Sequence, residues 1–118
     1  HHMDSVLGYA RTLIVGGSYR VPYMPSFRAE VERFHSTLAD LARVIAETSH
    51  WDGITPEQLL QGPLSDAMTH AGQLAMLRRL AGHPVPPENF VFAKISAANL
   101  GPHQPLPARQ DDEWPERP

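Results

Sequence analysis

Residues 65–80 read Ser65-Asp66-Ala67-Met68-Thr69-His70-Ala71-Gly72-Gln73-Leu74-Ala75-Met76-Leu77-Arg78-Arg79-Leu80. The spacing predicts a helix over about Pro63 to Ala81, closed by Gly82, with Arg78 and Arg79 complementing the negative pole of its dipole. On that helix Asp66 and His70, one turn apart, leave from a single face, and Gln73 extends it. Ala67, Ala71, Leu74, Leu77 and Ala81 form an apolar stripe beside His70. The imidazole is therefore expected to point into the protein, where it needs a metal, a carboxylate or a backbone carbonyl as partner. Gly72 costs about 1 kcal/mol relative to alanine in a helix interior, which predicts close approach of another helix there. Spacing alone leaves two readings of Asp66 and His70: a ligand pair, or a core histidine hydrogen-bonded to its neighbour.

Upstream, Thr55-Pro56-Glu57-Gln58 has the form of a capping box, so a short helix is predicted from Pro56 to Gln61. Gly62-Pro63 is expected to separate it from the long helix. Ser26 is an N-cap for a second helix in which Phe27, Val31, Phe34, Leu38, Leu41 and Ile45 recur every three or four residues. That seam faces one partner surface. A first helix is predicted from about Asp4 to Val15, with Asp4 or Ser5 as cap, Val6, Leu7, Ala10, Leu13 and Ile14 inside, and Gly16-Gly17 as terminator. The apolar linker between Ser18 and Pro25 is expected to pack Tyr19 and Tyr23 against the body, and residues 48–53 read as a loop.

Downstream of His83 lie eight of the twelve prolines, which argues against regular helix. Asn89 to Ile95 is expected to be extended or a single helical turn, and Asp111 to Pro118 disordered. The chain thus divides into a helical part, residues 1–82, and a proline-rich extension, residues 83–118, laid across it as a strap.

Composition narrows the functional classes. The 118 residues carry a formal charge of −3 and no cysteine, which excludes disulfides, thiolate metal sites and a cysteine nucleophile. The acidic balance argues against nucleic acid, and no apolar run approaches the roughly 20 residues that span a bilayer. A soluble, cytoplasmic protein is the expectation. There is no phosphate-binding glycine loop, nucleophile elbow or His-Glu-x-x-His. His35, His50, His83 and His103 lack ligand spacing and read as surface or boundary residues.

The run from His70 to Leu80 resembles the last bundle helix of the DinB-like superfamily, which typically reads His-x-x-x-His-x-Gly-Gln followed by leucines. His70 matches the second histidine and Gly72-Gln73 the Gly-Gln; Asp66 stands where the first histidine usually is. The stretch from His2 to Ala10 is similar to the family's second helix, which contributes a further ligand, and His2 takes that place. His1-His2-Met3 is either native sequence or the remnant of a tag, and this alignment favours native. The resemblance implies an all-α, DinB-like helical bundle with a divalent metal, zinc or nickel, on His2, Asp66 and His70. Gln73 would orient a ligand from behind.

Only three substantial helices are legible where the family has four, so the bundle is a fragment, is completed by the tail, or is completed by a second copy in a homodimer. Two functions follow. One is a metal-dependent enzyme, hydrolase or transferase, acting on a small molecule; family members include thiol-dependent transferases and isomerases. The other is a metal-free binding or dimerisation module with a degenerate site.

Overall fold

Residues 1–51 and 53–109 are described by a computed structural model. Helix α1 spans His2–Val15, α2 Phe27–Glu47, α3 Pro56–Leu59 and α4 Ser65–Leu80. A π-helical turn, Leu60–Leu64, joins α3 to α4, and a 3-10 turn covers Phe90–Phe92. The chain is all-α: among the described residues there is no strand, and no helix is long and apolar enough to cross a membrane.

Side-chain pairing fixes the helix directions. Asp4 meets Arg33 and Thr37, and Arg11 meets Asp40, so the residue numbers rise together and α1 and α2 run parallel. Gly53 lies against Leu13 near the end of α1, whereas Asp66 and His70 meet His2 at its start, so the stretch from Gly53 into α4 runs antiparallel to α1. A parallel pair needs a connection that returns along the whole first helix. At 1.5 Å per residue α1 is about 21 Å long, which the extended linker of residues 16–26 easily covers. The linker lies against α1: a Cβ on Gly8 would fall 2.1 Å from the Tyr19 ring. Tyr19 thus packs as expected, while Tyr23 is exposed and rests on the His1 ring with centroids 4.1 Å apart.

The hydrophobic core, Leu7, Ala10, Ile14, Leu41, Val44, Ile54 and Leu59, sits where α1 and the C-terminal half of α2 meet α3. Ser26 caps α2 by accepting from the Ala29 amide at 3.2 Å, and Thr55 and Gln58 form the reciprocal capping box. Gly16, Gly17 and Gly82 take positive φ at the ends of α1 and α4, a conformation glycine adopts without strain.

Several expectations are corrected. Asp4 is not a cap; it lies within α1 and is fully buried against α2. Pro63 does not divide two helices. The chain absorbs its missing N–H in the π turn, where Ser65 Oγ donates to the Leu60 carbonyl at 2.7 Å, and helix continues into α4. The α4 stripe is not core: no residue of α4 is buried, and Leu74 and Leu77 are exposed. Nothing lies within 4 Å of a Cβ placed on Gly72, so no helix approaches there. Phe27, the first residue of the α2 seam, is 80% exposed. The exposure of Phe27, Leu74 and Leu77 has one cause: the N-terminal half of α2 and the C-terminal half of α4 line an open cavity instead of packing together.

In the tail, His35 Nδ1 donates to the Leu100 carbonyl at 2.8 Å, tying this segment to α2. Of the two expectations for Asn89 to Ile95, extended or a single helical turn, the turn is found, as 3-10 helix over Phe90–Phe92 only. The expectation of disorder over 111–118 lies outside the described residues.

Candidate metal centre

The packing of α4 on α1 brings the first turn of one beside the first turns of the other. His2 Nε2 stands 3.4 Å from Asp66 Oδ2, and His70 Nε2 stands 3.6 Å from Asp66 Oδ1. The two imidazoles meet edge-to-face with centroids 4.7 Å apart. One ligand atom from each of His2, Asp66 and His70 falls within 4.8 Å of the others. Ligand atoms about 2.0–2.2 Å from a tetrahedral ion are about 3.3–3.6 Å apart, close to the two separations from Asp66 seen here. The i, i+4 spacing seen in the sequence places Asp66 and His70 on one face, and the packing of the start of α1 against the start of α4 adds His2.

Gln73 completes the arrangement. Its carboxamide oxygen lies 2.8 Å from His70 Nδ1, and because that oxygen can only accept, Nδ1 carries the proton. The neutral ring then presents its Nε2 lone pair toward Asp66. Metal-binding histidines are commonly oriented in this way by a hydrogen bond to the other ring nitrogen. Asp66 follows directly on the π turn and Ser65, so that turn sets its angular place on α4.

The site is not in the packed interior. His2 is 65% exposed, Asp66 46% and His70 30%. The inward-pointing imidazole expected from the alanine stripe is therefore corrected: His70 sits at a rim. What it borders is a cavity of about 470 Å³, lined among others by His2, His70, Gln73, Phe27, Val31 and Leu77. His35, read from sequence as a bland boundary residue, also lines it.

Beneath the cavity lies a polar cluster that sequence reasoning missed. Thr37 Oγ1 and the Tyr19 hydroxyl both donate to Asp4 Oδ1, at 2.6 and 3.0 Å. Arg33 Nε stands 2.8 Å from Asp4 Oδ2, forming an ion pair without hydrogen-bond alignment. Burial raises the Tyr19 pKa above its ordinary value. The amide of Met24 donates to Glu30 Oε1 and, with Arg33 nearby, holds that carboxyl below the usual range. Asp4 falls at i−3 from Leu7 and i−7 from Arg11, a periodicity that would have placed it on the α2-facing stripe.

His1, Asp4 and Glu30 also bring ligand atoms within 4.8 Å of one another. Arg33 already serves that group, contacting Glu30 at 2.7 Å and His1 Nδ1 at 2.9 Å as well as Asp4. A second cation there would meet the guanidinium, so the exposed His2, Asp66 and His70 set is the better metal candidate.

No protein family, curated protein or solved structure matches the chain.

Proposed function

We propose that the protein is a DinB-like, divalent-metal-dependent enzyme acting on a small molecule, with His2, Asp66 and His70 as ligands. The observation that carries this reading is the convergence of three donors from two helices within 4.8 Å, with His70 held in the metal-binding tautomer by Gln73. Two imidazoles and one carboxylate suit zinc or nickel and leave coordination places for a ligand. When bound, the ion supplies Lewis acidity, lowering the pKa of a thiol or other weak acid brought to it. Gln73 fixes the His70 ring, and the cavity beside it receives the reactant. A thiol-dependent transfer or isomerisation is the reaction class that the family resemblance favours. In this reading the proline-rich segment straps the bundle through the His35 contact to residue 100, and the protein works in the cytoplasm.

A second reading is a metal-free dimerisation module. The observation favouring it is the apolar outer surface of α4, where Met68, Met76 and Leu80 are exposed. Calorimetric zinc titration of untagged protein separates the two. The enzyme reading expects one zinc per chain, lost in His2→Ala, Asp66→Ala and His70→Ala. Absence of zinc binding near neutral pH, together with a dimer in sedimentation, overturns it in favour of the module.

A further inference from the structure

We infer that the cavity beside the metal donors is a binding site for a small molecule with an uncharged apolar body and a single metal-seeking head group. Because the head is assigned to His2, Asp66 and His70, this inference rests on the metal reading above.

The volume of about 470 Å³ falls within the roughly 300–1,000 Å³ typical of pockets that enclose small ligands. Its apolar walls come from all three long helices: Met3 from α1, Phe27, Val31 and Phe34 from α2, and Leu74 and Leu77 from α4. Phe27, Leu74 and Leu77 are otherwise left in water. His2 and His70 line the cavity while Asp66 does not, so the cavity opens on the imidazole side of the donor cluster.

Charge defines the ligand further. The carboxylates at the cavity, Asp4 and Glu30, are both committed to Arg33. Arg33 is not itself a lining residue, and the His1 ammonium, which does lie at the cavity, is paired with Glu30 at 3.5 Å, so among the described residues no unpaired ammonium or guanidinium faces the apolar walls. An ionised tail finds no partner there. A head bearing a thiolate, carboxylate or hydroxamate finds one only at the metal donors.

Two measurements test this. In metal-free protein with labelled methyl groups, 1-octanol should produce saturable shifts at Val31, Leu74 and Leu77 and leave the core methyls of Leu7 and Ile14 unmoved. In zinc-loaded protein, a series of straight-chain alkyl hydroxamic acids should tighten by up to about four-fold per added methylene until the cavity is full. Leu74→Asn and Leu77→Asn, at exposed positions that tolerate polarity, should flatten that series and leave zinc affinity unchanged.

Zinc binding with hydroxamate affinity independent of chain length overturns the inference and leaves the metal reading intact. No zinc binding, but a saturable octanol response, overturns the metal reading and supports the cavity as an apolar ligand site. No methyl response, with a dimer that octanol leaves intact, assigns this face to a second copy and overturns the inference.

Discussion

Gln73 accepts the Nδ1–H of His70 at 2.8 Å from the next turn of α4, and this contact leaves Nε2 as the ring nitrogen with a lone pair, facing Asp66. Gln73→Ala removes the acceptor while leaving all three donors in place. The expected outcome is a zinc affinity about 10–100-fold weaker with stoichiometry preserved, as is usual when the partner of a ligating histidine is lost. Gln73→Glu, which keeps an acceptor, should restore most of it. Calorimetric titration reads both.

Gly8 is glycine because Tyr19 lies where a side chain would be. A Cβ there would fall 2.1 Å from Cδ1 and 2.2 Å from Cε1 of the ring, and the ring is anchored by its hydroxyl to Asp4 and Thr37. Gly8→Ala must push the linker off α1. The expected cost is about 1–3 kcal/mol in urea unfolding, with Tyr19 fluorescence shifting toward that of exposed tyrosine.

Thr37→Val tests the buried carboxylate. Asp4 Oδ1 loses its shorter donor, the 2.6 Å contact, and no water can replace it at a fully buried group. About 1–3 kcal/mol of stability should be lost. Tyr19→Phe removes the longer bond and should cost less. The two changes should not add, because the hydroxyls also touch each other at 2.9 Å. Denaturant midpoints of the two single variants and the double variant give the coupling.

Acid should weaken the fold in a defined direction. Asp40 lies below the ordinary value of 3.8, chiefly through the hydrogen bond from Arg43 and also through Arg11. Glu30 lies below 4.5, chiefly through the Met24 amide. A depressed carboxyl pKa means stability that is complete above the unfolded value and lost as pH falls through the folded one. The unfolding midpoint should therefore be flat from neutrality to about pH 5 and fall below it. Asp40→Asn should flatten part of that fall, and added salt should mask the Asp40 share.

The helices were legible because their punctuation is local. Ser26, the Thr55–Gln58 box and the glycines at 16 and 82 each act within a turn of their own position. Asp66 and His70 were legible for the same reason, and Gln73 with them. What periodicity could not convey was what each apolar face meets. Leu74 and Leu77 have core spacing, yet they border a cavity because α2 and α4 diverge toward Phe27. Pro63 read as a break because a π turn depends on a bond five residues away and has no signature of its own. Asp4 read as a cap because an acidic residue near a helix start is usually one; its spacing from Leu7 could have put it on the inner face, but Tyr19, Arg33 and Thr37 as its partners show only in the fold.

The central claim is that Nε2 of His2 and of His70 share an ion with Asp66. Imidazole nitrogen NMR of untagged protein during zinc addition tests it most directly. The account predicts that the Nε2 resonances of His2 and His70 move together to metal-bound values at one equivalent, with His70 Nδ1 remaining protonated, and that Asp66→Ala abolishes the change. Zinc that shifts His1, His35 or His50 instead, or leaves His70 Nε2 unmoved, would contradict it.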